Sequence, residues 1–226
     1  DGKSNAPFFF SVAVPDGNYR VTAVVGNKRV AGMTTVRGES RRLFFENVAT
    51  KKGETQACVF VINKRNTHIS DKEDVRIKAR ERGKLNWDDK LTLEFNGDAP
   101  QLAELVIERV ENVPTIFLCG DSTVVDQDTE PWASWGQMIT RFFNQGVAFA
   151  NYAESGESAN TFIAVGRLKK ALTQMKQLYD DSLPDNAPLS PEVVFFADES
   201  GFAGMLIDSP QIKAVSRTRT NMGTVG

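Results

Sequence analysis

The sequence predicts a β-sandwich followed by a partial parallel α/β domain. Residues 1–112 contain short strand-like segments, separated by turn clusters at fairly regular spacing, which is typical of a β-sandwich. From residue 113 the pattern becomes strand, helix, strand, helix, which indicates a parallel sheet. The apolar run 115–119 ends in Gly120-Asp121-Ser122. This pattern is typical of a buried parallel strand that places a serine hydroxyl in a crevice at its C-terminal end. We therefore divide the chain into residues 1–112, residues 113–176 and an unassigned tail, residues 177–226.

The strands of the first domain follow from alternation and from turn residues. Residues 19–25 alternate polar and apolar side chains, as expected for a half-buried strand. Residues 58–62 are apolar on both faces, which predicts a central strand. Pro15-Asp16-Gly17-Asn18 is a strong turn signal. The predicted strands are residues 8–14, 19–25, 29–35, 43–48, 56–63, 75–79, 90–95 and 102–109.

A mixed-charge segment, residues 72–90, interrupts this pattern. We interpret it as a solvated rim, with a binding role as the alternative. Trp87-Asp88-Asp89 fits a turn whose aromatic ring covers the end of the sandwich, or a sugar or calcium site.

The second domain contains two predicted amphipathic helices and further strands. Trp135, Met138, Ile139, Phe142 and Phe143 recur at helical spacing, and residues 159–175 form the second predicted helix, with lysines toward its C-terminus. Residues 147–152 are predicted to form a strand, and residues 153–158 a polar loop. Residues 183–191 resemble a linker, residues 193–197 are predicted to form a buried strand, and residues 216–226 are polar.

Composition excludes several classes of function. A net charge of −2 and a pI of about 5.6 give no basic field for nucleic acid. No apolar run approaches the roughly 18 residues of a membrane span. Cys58 and Cys119 lie in apolar runs and are expected to be buried free thiols, with a mutual disulfide as the alternative. With a single histidine, His68, the chain is not expected to hold a structural zinc or another cofactor.

Three sequence blocks carry a family resemblance. Residues 115–122, then Trp132-Ala133-Ser134-Trp135-Gly136, then residues 151–158 resemble the rhamnogalacturonan acetylesterase branch of the SGNH (GDSL) hydrolases. The resemblance covers residues 113–176, and residues 1–112 resemble the galactose-binding-like module that precedes some bacterial esterases of this branch. The family's Gly-x-Asn-Asp block and its Asp-x-x-His block, which supplies acid and base, are not found in this chain.

The resemblance implies roles for two residues, and the sequence itself suggests roles for three more. Ser122 matches the nucleophile, and Gly156 matches the glycine whose backbone N–H joins the oxyanion hole. We predict that three further residues lie at the substrate: Asp121, Trp132 and Asn160. Asp121 is expected to form hydrogen bonds around the turn, and Trp132 is expected to form a wall for a sugar ring. Asn160 is a candidate oxyanion donor, or alternatively a group that caps or lines the helix start. Trp135 is interpreted as a core residue, with the sugar wall as its alternative role.

The sequence does not identify a general acid or base for the predicted site. We interpret His68 as a surface or structural histidine, because it lies in a polar connection of the first domain. Asp198 and Glu199 follow a strand and could line the same crevice.

The implied function is a carbohydrate esterase that removes acetyl groups from pectic, rhamnogalacturonan-like plant polysaccharide. Its general base and acid are missing from this chain, so enzymatic activity itself is left undecided. The alternative is a non-catalytic carbohydrate-binding or interaction module. The expected partner is an acetylated polysaccharide or oligosaccharide, and the expected location is periplasmic or extracellular, with a signal peptide already removed. The exact polysaccharide and the oligomeric state stay open.

Overall fold

The computed structural model describes residues 4–111, 113–143, 145–180, 193–197 and 203–206. The first part of the chain is built almost entirely from strands. They are β1 (Phe8–Ala13), β2 (Gly17–Gly26), β3 (Gly32–Gly38), β4 (Arg42–Thr50), β5 (Thr55–Lys64), β6 (His68–Ser70), β7 (Glu73–Asp74), β8 (Lys90–Asn96) and β9 (Glu104–Val110).

Two antiparallel sheets of this part share one core. One sheet has the order β1-β8-β3-β4 and the other has the order β5-β2-β9. Alternate residues of β2, from Tyr19 to Val25, point inward and meet Cys58, Phe60 and Ile62 of β5. The opposite sheet contributes Leu91, Leu93 and Phe95 of β8. The alternation seen in the sequence therefore places the core as expected, while the galactose-binding-like assignment stays a prediction.

One predicted strand, residues 75–79, is wrong. Val75 is buried, but it packs with Ile69 and Trp87 against the second part of the chain. The backbone N–H of Val75 donates to Thr67 O and that of Arg76 to Val165 O, so this segment forms no ladder with a sheet of the first part. The apolar residues that suggested a strand instead serve an irregular segment docked on a neighbouring unit.

The second part of the chain contains a mostly parallel sheet. Its elements are β10 (Thr115–Gly120), α1 (Trp135–Met138), β11 (Ala148–Asn151), α2 (Ala159–Ala164), α3 (Arg167–Asp180), β12 (Val193–Ala197) and β13 (Ala203–Leu206). The sheet order is β11-β10-β12-β13, with β10 parallel to both of its neighbours and β13 antiparallel to β12. The predicted strand 193–197 is confirmed and joins this sheet beside β10.

Both predicted helices differ from the structure. The first is short, because α1 passes into a 3-10 turn, Ile139–Phe142, and Phe142 is 77% exposed. The second is divided at Gly166, whose φ of +89° is a left-handed conformation that favours glycine. A Cβ at Gly166 would also lie 3.1 Å from Ile69 Cδ1. A reading by periodicity alone missed this backbone break.

Buried ion pairs join the two parts of the chain. Arg42 Nε of β4 lies 3.1 Å from Asp126 Oδ2, and Arg167 Nη2 of α3 lies 2.5 Å from Glu81 Oε2. All four side chains are fully buried. The mixed-charge segment 72–90 is therefore not simply a solvated rim, because Glu81 and Trp87 within it are buried against the second part of the chain.

Candidate active site

Ser122 lies in a tight turn directly after the central parallel strand. The fully buried Asp121 fixes this turn, because its Oδ1 accepts hydrogen bonds from Thr123 N and Thr123 Oγ1, both at 2.9 Å. The backbone carbonyl of Asp121 accepts hydrogen bonds from the N–H groups of Val124 and Val125. The expectation that Asp121 orders the turn is confirmed, while its contact with a substrate stays a prediction. Ser122 is only partly buried.

The loop that carries Gly156 leaves the same edge of the sheet. Tyr152 N donates to Leu118 O at 2.8 Å, and Glu154 N donates to Gly120 O at 3.1 Å. The parallel pairing thus continues past the end of β11. It joins the last residue of β10, two residues before Ser122, to Glu154, two residues before Gly156. The sheet therefore holds the starts of the two predicted catalytic loops side by side.

The side chain of Asn151, the last residue of β11, forms hydrogen bonds to both of these loops. Its Nδ2 donates to Val124 O at 2.6 Å and to Asp126 Oδ1 at 2.8 Å, and its Oδ1 accepts from Ala153 N at 3.1 Å. Burial raises the pKa of Asp126, against the lowering effects of Arg42 and Arg65. Sequence reasoning missed this brace, although an asparagine ending a strand beside the serine turn was a usable signal.

The Ser155–Gly156 peptide is held by two cations from the first part of the chain. Lys78 Nζ donates to Ser155 O at 2.7 Å, and Arg80 donates to the same oxygen. In a trans peptide the N–H points opposite to the C=O, so these donors direct the Gly156 N–H away from the cations. They also polarise the peptide, which strengthens that N–H as a donor.

Gly156 itself has a left-handed backbone. Its φ is +70°, and a Cβ there would meet only Lys78 Nζ, at 3.9 Å. The backbone conformation, rather than lack of space, is what favours glycine at this position. The residue is exposed.

The acidic residues on either side of Gly156 are paired with the same upstream segment. Glu154 Oε1 lies 2.8 Å from Arg80 Nε, and Glu157 Oε1 lies 2.8 Å from Lys78 Nζ. Burial, followed by the nearby Glu81 carboxylate, raises the pKa of Glu154, while Lys84 and Arg80 oppose the rise. Sequence reasoning missed these partners, although segment 72–90 carried the complementary charges.

A buried arginine lies beneath the same loops. The Arg65 guanidinium lies over two rings that meet edge to face, with its Cζ 4.5 Å from the centroid of Trp87 and 4.8 Å from that of Tyr152. Burial and the neighbouring Arg42 lower its pKa. Trp87 is therefore a core residue of this junction and does not cover the end of the first part as the sequence suggested.

The remaining predicted residues have mixed outcomes. Trp132 is 68% exposed in the loop after Ser122, which keeps the sugar-wall prediction open. The core role predicted for Trp135 is wrong, because this ring is 39% exposed. Asn160 is exposed and does not cap the helix, because Ser158 Oγ accepts from Thr161 N at 3.3 Å and is the N-cap of α2. A role for Asn160 as an oxyanion donor stays a prediction.

Of the residues considered as acid–base candidates, the structure describes only His68. His68 is an exposed residue of β6, and its Nδ1 lies 3.6 Å from Asp74 Oδ1. The interpretation of His68 as a surface histidine is confirmed. Asp198 and Glu199 lie outside the described residues, as do the linker-like stretch 183–191 and the polar stretch 216–226.

Within the described ranges, no group of three or more His, Cys, Asp or Glu side chains could hold a metal ion. The same residues contain no helix long and apolar enough to cross a membrane. Cys58 and Cys119 are free and buried, as the first alternative predicted.

Comparisons with known proteins give one local match in sequence and several weak matches in structure. No family profile matches the chain. Over 64 residues the chain is 41% identical to rhamnogalacturonan acetylesterase RhgT from Bacillus subtilis strain 168. The matched segment makes up 27% of this chain and 28% of the length of that protein. Among solved structures, protein YxiM from Bacillus subtilis matches with a TM-score of 0.30 and 24% identity, over 77% of this chain and 44% of that one. A family two carbohydrate esterase from Cellvibrio japonicus matches with a TM-score of 0.23 and 11% identity, over 68% and 54% of the two chains.

The likeness in sequence is therefore local, and the chain spans less than a third of the curated relative. Its 41% identity to an acetylesterase supports an SGNH hydrolase-like relationship for this chain.

Proposed function

We propose that this chain forms part of a carbohydrate esterase that removes acetyl groups from a pectic, rhamnogalacturonan-like polysaccharide. The observation that carries the proposal is the Glu154 N to Gly120 O hydrogen bond, because it brings the Ser122 turn and the Gly156 loop to one sheet edge. The acetylesterase similarity supports the reaction class. The proposed setting is periplasmic or extracellular.

In the proposed reaction Ser122 Oγ attacks the acetyl carbonyl carbon. The hydroxyl proton passes to a base, and the carbonyl oxygen becomes an oxyanion. This oxyanion accepts hydrogen bonds from the backbone N–H groups of Ser122 and Gly156. Collapse of this intermediate breaks the ester bond, returns a proton to the sugar oxygen and leaves acetyl-Ser122. Water then releases acetate and restores the hydroxyl.

The residues that the structure describes include no identified base for Ser122. The single histidine of the chain is exposed on β6 and pairs with Asp74. Without a base, a serine hydroxyl is a weak nucleophile near neutral pH, and loss of one triad member typically costs several powers of ten in rate. In the test that follows, imidazole is therefore added as an external base.

The proposal is tested by acetate release from acetylated rhamnogalacturonan, with and without imidazole. We expect imidazole-dependent release that saturates with polysaccharide, disappears in Ser122→Ala and persists in the matched control Ser70→Ala, an exposed serine of β6. Equal release by Ser122→Ala and the unmodified chain would overturn the proposed nucleophile.

A second candidate function is a non-catalytic carbohydrate-binding module. The exposure of His68 and its pairing with Asp74 favour it. It predicts polysaccharide binding without acetate release, even with imidazole, in the same experiment.

A further inference from the structure

A cleft of about 750 Å³ opens where the two parts of the chain meet. One wall is the outer face of the first sheet, with Phe9 of β1 and Arg37 of β3. The other walls are the segment that contains Arg82 and Lys84 and the loop that contains Glu130. The volume is in the range of small-molecule sites, which is roughly 300–1,000 Å³.

The charges that line this cleft favour an anion. Five basic side chains face three carboxylates: the basic set is Arg37, Arg41, Arg80, Arg82 and Lys84, and the acidic set is Glu94, Asp128 and Glu130. Arg37 and Arg41 share Glu130, at 3.3 and 2.9 Å. Lys84 Nζ lies 3.2 Å from Asp128 Oδ1, and Arg80 is taken by Glu154.

Arg82 differs from the other basic residues of the cleft. It is exposed, and its side chain makes no ion pair or hydrogen bond with the residues that the structure describes. Its guanidinium therefore has all its donors available in the arrangement that suits a planar carboxylate.

Phe9 gives the same cleft an apolar wall. Its ring is 56% exposed, whereas the preceding Phe8 stacks on Phe95 at a centroid distance of 5.1 Å. β1 therefore turns one aromatic ring into the core and the next toward the cleft, as alternation along a strand requires. An exposed aromatic face beside an available guanidinium suits the apolar face of a sugar ring that also bears a carboxylate.

We infer that this cleft binds an acidic oligosaccharide, with a uronate carboxylate on Arg82 and a sugar ring against Phe9. The choice of a saccharide over other anions rests on the proposed function. A nucleic acid is disfavoured, because the chain has a net charge of −2 and three carboxylates line the cleft. Arg80 and Lys84 also contact Glu154, two residues before Gly156, so the cleft adjoins the candidate active site.

The inference is tested by calorimetric titration with two probes of equal length, an oligogalacturonate and a neutral oligogalactan. We expect the acidic probe to bind and the neutral one to bind at least tenfold more weakly. Arg82→Gln should weaken binding of the acidic probe by about tenfold, because one charge-assisted contact is lost. Arg29→Gln, an exposed arginine outside the cleft, should leave binding unchanged.

The aromatic contact has its own control pair. Phe9→Ala should weaken binding several-fold, whereas Phe142→Ala, which removes a 77% exposed ring elsewhere, should have no effect. Equal binding of the two probes, unchanged binding by Arg82→Gln, or equal losses in Arg82→Gln and Arg29→Gln would each overturn the inference.

The outcome is separable from that of the esterase proposal. Ser122→Ala should bind the oligogalacturonate as tightly as the unmodified chain. Binding without acetate release supports the cleft and refutes the esterase, while acetate release without binding does the reverse.

Discussion

Replacing Arg167 by Met tests whether segment 72–90 is docked on the second part of the chain by a buried ion pair. Arg167 Nη2 donates to Glu81 Oε2 at 2.5 Å, and both side chains are fully buried. After the substitution the Glu81 carboxylate keeps two neutral N–H donors, Lys78 N at 2.7 Å and Trp87 Nε1 at 3.0 Å.

The magnitude follows from these contacts. Removing one member of a buried pair typically costs about 3–5 kcal/mol. Because two neutral donors still reach Glu81, we expect a loss near the lower end, about 3 kcal/mol in the free energy of unfolding. That is a large part of the stability of an ordinary domain, which is about 5–15 kcal/mol.

The matched control is Lys169→Met on the same helix. Lys169 also pairs with an acid of the upstream segment, Glu73, but the two side chains are 59% and 41% exposed. Exposed pairs contribute about 0–1 kcal/mol, so this variant should unfold almost like the unmodified chain. Urea unfolding of both variants gives the comparison, and similar small losses in the two would refute the docking argument.

The pH dependence of the free energy of unfolding gives a second test of the contact between Arg167 and Glu81. Burial opposes ionisation of Glu81, but the hydrogen bond and charge of Arg167 and the N–H of Lys78 hold its pKa below the ordinary value of 4.5. A depressed pKa in the folded state gives stability that is complete above pH 4.5 and is lost as the pH falls through the folded value. Glu81→Gln should lack this acid-dependent loss.

The remaining predictions concern other buried or strained groups. Gly156→Ala should cost about 1–2 kcal/mol in urea unfolding because its φ is positive, and Gly53→Ala (φ +86°, equally open) should cost the same, but only the former should reduce acetate release; equal acetate release by both would refute the role of the Gly156 loop. Burial raises the pKa of Glu39 to about 8, so stability should fall as pH rises from about 4.5 to 8, and Glu39→Gln should flatten that slope; an unchanged slope would show that Glu39 is not the group responsible. Cys58 and Cys119 are completely buried, and burial raises the pKa of both thiols, so a thiol reagent should label them only on unfolding; rapid labelling of the folded chain would contradict their burial.

Much of the first part of the chain could be predicted because local patterns determine it. The alternation in residues 19–25 and the two-sided apolar run 58–62 correspond to β2 and β5, which the structure pairs directly. The Gly120-Asp121-Ser122 turn could also be predicted, because the strand, the glycine and the Asp121 side-chain bonds all act within a few residues.

What could not be predicted depends on contacts between residues far apart in the sequence. By their position in the sequence Val75 and Trp87 belong to the first part, yet they share a buried core with Tyr152 and Phe117 of the second. Lys78 and Arg80 reach Ser155 across 77 and 75 residues of sequence. Neither periodicity nor a local motif encodes such pairing, although the opposite charges of the two segments were visible.

The break at Gly166 is a different kind of miss. The apolar spacing of residues 159–175 continues through this glycine, so periodicity alone predicts one helix. The left-handed φ of Gly166, two residues after the end of α2, separates α2 from α3.

Acetylation of Ser122 tests the account most directly, because a covalent acetyl-enzyme requires the nucleophile and the oxyanion donors to lie together. The chain is incubated with an activated acetyl ester and imidazole, quenched in acid, digested and analysed by mass spectrometry. The account predicts acetyl on the peptide that contains Ser122, its loss in Ser122→Ala and a clear decrease in Gly156→Ala. Acetyl groups found only on lysines, or on the Ser122 peptide to the same extent in Ser122→Ala, would contradict it.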